Sequence, residues 1–450
     1  MIALPPDRLA RAAGLEVVRT GGPGHPRRAE IDSRLVAVGD FFFGLPGASA
    51  DGGEFAAWAL RDGAWGVAVG PDYAGEATRV GEGWVFVSDD PLASLQALAR
   101  EWRRELGARV VGITGSTGKT SVKDIAKALL PDRLHASREN FNTEIGLPLT
   151  ILEAEPGTEV LILEMAMRGM GQIAELCKIS EPDIAAITNV GPVHLELLGT
   201  LDAIVEAKAE ILAGLGPGGI AVIPADAEAL APHLSDSLRT LTFGEGGDVS
   251  AVSAEVVGRR THATLKLPGA EQEVSFPFTE PHNLLNGLAA FAIGIALDAD
   301  PREMAGRTAS VTFSRLRGEV YELPDGITLV NDCYNANPVS MRAALESLAA
   351  TPADRRLAVL GGMAELGPSG VSYHREVADL ARELGIGPVI GVGDLARDYS
   401  PDEWVADPEA AAELAAGMLQ AGDAVLVKGS RSVGLEAFTE SLLAKREASA

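Results

Sequence analysis

The sequence contains few cysteines and few aromatic residues, and it has no long apolar run. Cys177 and Cys333 are the only cysteines among 450 residues, and aromatic side chains make up 5%. Two cysteines so far apart, without neighbouring metal-ligand residues, argue against a disulfide framework and fit a reducing compartment. The longest apolar run, residues 287–297, is too short to span a bilayer and predicts a buried helix. The N-terminal residues lack an apolar signal core. We therefore expect a cytoplasmic protein without membrane insertion.

Basic residues are also in short supply. Lysine and arginine total 38 against 63 aspartates and glutamates, which gives a net charge of −25. An excess of negative charge spread along the chain argues against binding to nucleic acid or to anionic membranes. It does not exclude a small anionic substrate in a local basic pocket. The length predicts two to four domains with ample core.

Residues 112–120, GITGSTGKT, form a glycine-rich stretch between a predicted strand and a predicted helix. Glycines allow backbone N–H groups to approach phosphates closely, and the N-terminus of the following helix adds positive potential. The pattern predicts a phosphate-binding loop in which Lys119 reaches the β- and γ-phosphates and Thr120 offers its hydroxyl to Mg²⁺. The other predicted nucleotide-binding positions of this stretch are Gly115, Ser116, Thr117, Gly118 and Ser121.

The loop departs from the generic spacing, because Ile113 stands where a glycine is usual. Gly112 lies one residue too early, and Gly115 lies inside the loop. The alternative is a chance glycine turn, but Gly-Lys-Thr at a strand–helix junction favours phosphate binding. We expect Lys119 to face solvent from this loop.

Strand and helix patterns divide the chain into three predicted domains, residues 1–106, 107–312 and 313–450, with hinges near 107 and 312. Apolar runs alternate with helical patterns in all three, which predicts α/β domains with mostly parallel sheets. The first domain begins its sheet with an apolar run at residues 36–43. Residues 249–278 alternate over short segments and predict a small antiparallel appendage on the second domain.

Three residues downstream of the loop are candidates for metal binding and catalysis. Glu164 ends a buried apolar run, and a carboxylate at that end of a parallel strand points toward the ligand crevice and could bind Mg²⁺. His194 follows another strand, and Lys208 lies within a helical pattern. From the residues alone, each has an alternative without a functional role. Glu164 could be a solvated acid at a strand end, His194 a packing residue and Lys208 a solvated helix charge.

Further polar clusters follow predicted strands or begin predicted helices. Asn283 and Asn286 lie one turn apart at a helix N-terminus, so both amides can face one ligand, although helix capping is the alternative. Asn335 and Asn337 lie in a segment dense in Asn and Asp, which is either a polar turn or a loop that contacts nucleotide and substrate. Lys428-Gly-Ser-Arg431 follows a buried strand and is interpreted as an anion site or a plain β-turn. In the first domain, Asp32-Ser33-Arg34 alone favours an ordinary polar turn.

Taken together, these motifs resemble the Mur ligase family over essentially the whole chain. The resemblance rests on the phosphate loop, on Glu164, His194 and residues 207–211, and on the segments beginning at Asn140, His282 and Lys428. Within the family, residues 332–341 and 361–367 are most similar to the member that adds D-alanyl-D-alanine. Asp32-Ser-Arg34 and residues 41–53 resemble that member's uridine-nucleotide-binding domain.

The resemblance implies three domains: a small α/β uridine-nucleotide-binding domain, a central P-loop parallel-sheet ATPase-like domain and a C-terminal Rossmann-like α/β domain. It implies an ATP- and Mg²⁺-dependent ligase that joins UDP-N-acetylmuramoyl-tripeptide to D-alanyl-D-alanine through an acyl phosphate. The implied catalytic residues are Lys119, Glu164, His194 and a carbamylated Lys208. The implied metal ligands are Glu164, His194, Lys208 and Thr120. The implied contacts to ATP come from Asn283, Asn286, Asp332 and one arginine. We choose Arg317 for this arginine, and Arg315 is the alternative. The implied substrate residues are Asp32, Ser33, Arg34, Asn140, Asn142, Thr143, Asn335, Asn337, Lys428 and Arg431.

Two alternatives remain at this point. One is a related amide ligase with another acceptor, such as a different Mur-type ligase or a folylpolyglutamate synthetase. The other is a non-catalytic nucleotide-binding relative that kept the phosphate loop. We expect a monomer in either case.

Overall fold

The computed structural model describes residues 2–138 and 140–447. Its first sheet has five strands in the order β1-β5-β4-β3-β2, and only the β1–β5 pair is antiparallel. Phe41, Phe42 and Phe43 on the third strand are fully buried, so both faces of this sheet carry core. The elements of this part are α1 (Pro6–Ala13), β1 (Glu16–Arg19), β2 (Ala29–Glu30), β3 (Phe41–Phe43), α2 (Ala56–Arg61), β4 (Gly66–Val69), α3 (Pro71–Ala77), β5 (Trp84–Val87) and α4 (Pro91–Leu106).

The prediction of a strand beginning at residue 36 is wrong, because residues 36–40 form a turn before β3. The buried carboxylate of Asp40 accepts a hydrogen bond from the backbone N–H of Ala37 at 2.9 Å and one from Arg28 at 3.1 Å. These local bonds satisfy the backbone in place of a sheet ladder.

The second sheet has six parallel strands in the order β11-β10-β9-β6-β8-β7. Its crossovers are helices, as a parallel sheet requires. The elements are β6 (Arg109–Thr114), α5 (Lys119–Leu129), β7 (Leu134–Ala136), α6 (Gly146–Glu153), β8 (Val160–Glu164), α7 (Gln172–Ser180), β9 (Ile184–Ile187), α8 (Leu195–Leu198), α9 (Leu201–Ala213), β10 (Ile220–Pro224) and β11 (Arg239–Phe243).

The predicted antiparallel appendage is confirmed as a three-stranded sheet, followed by the predicted apolar helix. That helix, α10, packs with its alanines, isoleucine and phenylalanine buried against the appendage and against α5. The elements are β12 (Ser250–Val257), β13 (Arg260–Leu267), β14 (Ala270–Phe276), α10 (Pro281–Ala296) and α11 (Pro301–Arg307).

The last sheet has six strands in the order β15-β16-β20-β17-β18-β19. All its pairs are parallel except β15 with β16, and the sequence pattern did not predict β15. The elements are β15 (Glu319–Leu323), β16 (Ile327–Asn331), α12 (Pro338–Ala350), β17 (Arg356–Gly361), α13 (Gly370–Glu383), β18 (Val389–Val392), β19 (Glu403–Val405), α14 (Pro408–Met418), β20 (Ala424–Lys428) and α15 (Glu436–Glu447).

The cores connect the first two sheets. The last six-stranded sheet, called the third sheet from here on, has its own core. Residues on both sides of position 106 belong to one buried cluster, and the indole Nε1 of Trp102 on α4 donates to the carbonyl of Ala154 at 3.0 Å. Two separate clusters cover the faces of the last sheet. The α/β class, with one main sheet in each expected domain, is as predicted, while the boundaries near 106 and 312 stay predictions. Within the described residues, no helix has the length and apolarity needed to cross a membrane.

Candidate active site

The glycine-rich stretch forms a turn between β6 and α5, held by the loop that follows the neighbouring strand β9. The hydroxyl of Ser116 donates to the carbonyl of Gly191 at 2.9 Å. The backbone N–H of Thr117 donates to Oδ1 of Asn189, also at 2.9 Å. The turn is thus fixed by bonds to its own sheet, and a loop that is already formed loses little freedom when it binds a ligand.

Two glycines in this turn have conformations that other residues rarely adopt. Gly115 has φ 151° and Gly118 has φ 78°, and a Cβ on Gly118 would lie 2.5 Å from Oδ1 of Asn286. That amide belongs to α10, so the absence of a side chain allows the loop and this helix to approach closely. Backbone conformation and the lack of room for a Cβ together explain why both positions are glycine.

We expect Gly118→Ala to weaken nucleotide binding by at least tenfold, measured by calorimetry, because the new methyl group displaces Asn286. The positive φ adds about 1–2 kcal/mol of destabilisation, measured by chemical unfolding. Gly14→Ala is the matched control, since Gly14 has φ 65° with nothing within 4 Å of the added Cβ. It should lose similar stability and keep nucleotide affinity. Equal nucleotide affinity of the two variants would contradict the assignment.

Lys119 does not face solvent, contrary to the expectation from the sequence. It is the first residue of α5, it is half-buried, and its Nζ donates to the carbonyl of Gly115 at 2.7 Å. Burial lowers the pKa of its ammonium, and Glu164 opposes that shift. The prediction failed because the pattern gave the turn but not the depth of the cleft above it.

Thr120 and Glu164 form a buried oxygen pair at the base of the turn. The Thr120 hydroxyl donates to one carboxylate oxygen of Glu164 at 2.9 Å, and the Asn142 amide donates to the other at 3.0 Å. Glu164 is 3% exposed. Hydroxyl and carboxylate oxygens are ligands that Mg²⁺ prefers, so this donor set fits the metal that the phosphate loop implies. Among the residues described, no cluster of three His, Cys, Asp or Glu competes with it.

Lys208 and His194 both interact electrostatically with Lys119. Lys208 is 2% exposed on α9, which rules out the alternative of a solvated helix charge. Burial, with the charge of Lys119 added, lowers the pKa of the Lys208 ammonium well below its ordinary value. Burial likewise lowers the pKa of His194, and Glu365 opposes it. The charges of Lys119 and Lys208 lower the pKa of His194 further, so the structure places three basic side chains near one another.

The third sheet presents a polar face at the carboxyl ends of its strands. Lys428, 2% exposed at the end of β20, donates to the Asp332 carboxylate at 2.6 Å and to the carbonyl of Asn335 at 3.0 Å. Asn337 is the N-cap of α12 and accepts from Ser340. Arg431 is exposed and forms an ion pair with Glu436 at 2.8 Å. Lys428 and Asn337 therefore shape the loop from residue 332 to 337, for which the sequence left open a polar turn or a loop that contacts nucleotide and substrate.

Arg317 lies where the second and third sheets face each other, just before β15. Its guanidinium stacks 4.1 Å from the ring centroid of Tyr334 and contributes to the electrostatics of Lys119. Arg315 is exposed and does not line the cavity.

Nearby, the Asp124 carboxylate on α5 accepts from both the backbone N–H and the hydroxyl of Ser314, each at 2.8 Å. The segment that leads into the third sheet is thus tied to the helix of the phosphate loop.

A cavity of about 820 Å³ opens between the two sheets. Its lining joins the phosphate loop to the polar face of the third sheet, and Gly115, Lys208 and the first-domain triplet are not part of it. The predicted site residues that line it are Ser116, Thr117, Gly118, Lys119, Thr120, Ser121, Asn140, Asn142, Thr143, Glu164, His194, Asn283, Asn286, Arg317, Asp332, Asn335, Asn337, Lys428 and Arg431.

The triplet Asp32-Ser33-Arg34 forms a local turn in the first sheet's unit. Asp32 accepts from the backbone N–H of Arg34 at 3.0 Å and pairs with its guanidinium at 2.6 Å, which lowers the pKa of Asp32 to about 2. The Arg34 side chain is 85% exposed. A substrate role for the triplet stays a prediction, since these contacts also suit the ordinary polar turn.

Sequence reasoning missed several residues that shape the site. Asn189 clamps the phosphate loop, Tyr334 supports Arg317, and Glu365 contacts His194. Asn189 and Glu365 each follow a buried strand at its carboxyl end, the signal that identified Glu164. Tyr334 stands within the Asn- and Asp-rich segment that the sequence already singled out.

A phosphate loop on one parallel sheet, facing cationic and amide side chains from a second α/β sheet, defines a nucleotide-dependent enzyme of the P-loop class. Two family models match the chain: the Mur ligase middle domain over residues 113–294, and the "Mur ligase, glutamate ligase domain" over residues 316–431. The chain belongs to the Mur ligase family.

Similar proteins agree over nearly the whole length. The UDP-N-acetylmuramoyl-tripeptide–D-alanyl-D-alanine ligase of Synechocystis sp. is 37% identical, covering 93% of this chain and 92% of its own. The Bacillus subtilis enzyme of the same name is 32% identical, covering 92% of each chain. Among solved structures, MurF from Thermotoga maritima in complex with ADP superposes with a TM-score of 0.84 at 32% identity, covering 94% of this chain and 99% of that one. MurF from Acinetobacter baumannii superposes with a TM-score of 0.87 at 28% identity, covering 97% of this chain and 98% of that one.

Proposed function

We propose that this ligase joins D-alanyl-D-alanine to UDP-N-acetylmuramoyl-tripeptide with hydrolysis of ATP, in cytoplasmic peptidoglycan precursor synthesis. The observation that carries the proposal is the cavity in which the phosphate loop faces the polar ends of the third sheet. Relatives with that activity in their names are similar over more than nine-tenths of the chain. The enzyme acts as a monomer in this proposal, because one chain supplies both faces of the cavity.

The phosphate loop and its neighbours bind ATP. The ammonium of Lys119 and the backbone N–H groups of the loop neutralise the β- and γ-phosphates, and the paired amides of Asn283 and Asn286 read the adenine edge. Bound Mg²⁺ would neutralise charge on the transferred phosphoryl group, held through the oxygens of Thr120 and Glu164 with His194 beside them. Phosphoryl transfer needs mainly positioning and charge neutralisation, which these side chains supply.

The reaction proceeds in two balanced steps. The tripeptide carboxylate attacks the γ-phosphorus of ATP, which forms an acyl phosphate and releases ADP. The free amine of the dipeptide then attacks the acyl carbon, and the tetrahedral intermediate loses phosphate and a proton to give the amide. Arg317, Asp332 and the loop braced by Lys428 approach from the third sheet, so this face must close on the phosphate loop and exclude water from the acyl phosphate.

Lys208 is carbamylated in the active enzyme under this proposal. An ammonium has three donors and no acceptor, so unmodified Lys208 cannot serve as a metal ligand. Carbon dioxide adds to the neutral amine, a proton leaves, and the side chain becomes an oxygen donor with charge −1. The burial of Lys208 at 2% exposure supports this change, because burial lowers the pKa of the ammonium and so favours the neutral amine that reacts with carbon dioxide.

We expect the purified enzyme to prefer D-alanyl-D-alanine over single amino acids. The expectation comes from the resemblance of residues 332–341 and 361–367 to the family member that adds D-alanyl-D-alanine. Competition among the dipeptide, D-glutamate, diaminopimelate and lysine, followed by product mass spectrometry, measures the preference. A single amino acid as the preferred acceptor would contradict the proposal and favour another Mur-type ligase.

ADP release provides the control for this assay. It should require both the UDP-linked tripeptide and the dipeptide, since the acyl phosphate forms only on the tripeptide and turns over only with the amine. ADP release with a folate substrate would favour a folylpolyglutamate synthetase. Nucleotide binding without ADP release under any of these conditions would favour the non-catalytic alternative.

A further inference from the structure

The loop after β17 contacts the middle of the chain at the cavity. Oε2 of Glu365 lies 2.5 Å from Nδ1 of His194, and Oε1 lies 3.5 Å from Nε of Arg168. The backbone N–H of Glu196 donates to the carbonyl of Glu365 at 3.2 Å. One residue of the third sheet's unit thus contacts three residues of the second sheet's unit through both its side chain and its backbone.

The two residues at the centre of this contact both have left-handed backbones. His194 has φ 54° and Glu365 has φ 62°, and neither is a glycine. Such conformations cost free energy and persist where the surrounding structure requires them, often at functional sites. Here the strained residues come from opposite sides of the cavity and contact each other, and both line it.

The contact is suited to forming and breaking during each catalytic cycle. The side chains of His194 and Glu365 are 25% and 34% exposed, and that of Arg168 is 73% exposed. A hydrogen bond and an ion pair that solvent reaches contribute little net stability, so these contacts can define a geometry without locking it. The backbones also meet closely, since a Cβ on Gly367 would lie 3.1 Å from Cα of Glu196.

A carboxylate beside Nδ1 has a definite chemical effect on an imidazole. It favours the tautomer with the proton on Nδ1 and fixes the ring plane, which leaves Nε2 as the nitrogen available to a ligand. Histidines that hold a metal commonly donate their other N–H to a carboxylate in this way. In this chain the carboxylate arrives from a segment 171 residues away.

We propose that Glu365 is a positioning residue that docks the third sheet's unit on His194 and Arg168, so that His194 is correctly oriented only in the closed enzyme. The inference rests on the proposed function for its catalytic consequence. It gives Glu365 a role in assembling the site. Docking then determines how fast the bound substrates react, not how tightly they bind.

The test uses the full-length enzyme with Glu365→Ala, Glu365→Gln and the control Glu376→Gln. Glu376 is an exposed glutamate on α13. Steady-state assays give kcat and the KM values for ATP and the dipeptide. Spin labels at Cys substituted for the exposed Glu228 and Glu383 report the distance between the two units, because both native cysteines are buried.

We expect Glu365→Ala to lower kcat at least tenfold with both KM values within twofold of wild type, and to lengthen and broaden the label distances with an ATP analogue bound. Glu365→Gln keeps an acceptor oxygen and should recover part of both effects, while Glu376→Gln matches wild type. The inference is overturned by unchanged distances, by an unchanged kcat, or by a rise in dipeptide KM alone. If the wild type makes no product, the proposed function fails, and the label distances still test docking independently.

Discussion

Replacing Lys119 with alanine is expected to abolish ligation while the protein remains folded. Under the proposed function, its ammonium at the start of α5 is the charge that the phosphate loop directs at the transferred phosphoryl group. Removing one such preorganised donor typically costs 10²- to 10³-fold in rate, so we expect kcat to fall roughly 10³-fold. The Lys119 bond to Gly115 contributes about 1 kcal/mol to folding, so unfolding curves should shift only slightly.

Lys127→Ala is the matched control for this experiment. Lys127 lies on the same helix but is exposed, so its removal should change neither turnover nor stability by much. Product formation is measured by chromatography, and folding by circular dichroism. Near-normal turnover in a folded Lys119→Ala protein would show that the loop does not hold ATP in the way proposed.

Lys208→Ala should show the second-largest effect, a loss of roughly 10²-fold or more in kcat, because it removes the carbamate proposed to give the metal an oxygen donor. Short-chain carboxylic acids such as acetate should restore part of the activity by filling the vacated space with a carboxylate. The fold should survive, because Lys208 forms no ion pair with any described residue, so its removal leaves no partner charge buried and unpaired.

Mass spectrometry of the native enzyme adds a measurement that does not depend on turnover. Carbamylation increases the mass of the peptide containing Lys208, provided the bound CO₂ is trapped before unfolding. Lys178→Ala on α7, which replaces an exposed lysine, is the control and should neither lose activity nor respond to acetate. Full activity of Lys208→Ala without additive would remove this residue from the mechanism.

The sequence predicted what is local and periodic. The phosphate loop needs only a strand, a turn and a helix in succession, so residues 110–130 specified it without knowledge of the rest. The antiparallel appendage and the buried helix α10 followed from period and length. The turn at residues 36–40 was misassigned because the side chain of Asp40 competes with the sheet for backbone bonds, and hydrophobicity does not report that competition.

Contacts between distant segments were beyond the sequence. Lys208 looks like any helical lysine, and only the packing of α9 against the parallel sheet shows that it is buried. The role of Lys428 as a brace under Asp332 depends on β16 and β20 being neighbours, although 96 residues separate the two side chains. The contact of Glu365 with His194 requires the relative placement of two sheets, which no spacing in one sequence encodes.

The bonds between Ser314 and Asp124 have a mechanical consequence. They fix the connecting segment three residues before Arg317, within roughly 10 Å of chain. Glu365 follows β17, which lies three strands across the sheet from β15, or roughly 14 Å. If the third sheet swings about Ser314, it acts as a lever whose short arm carries Arg317 and whose long arm carries Glu365. The same rotation would separate Glu365 from His194 while Arg317 moves much less from its place at the cavity.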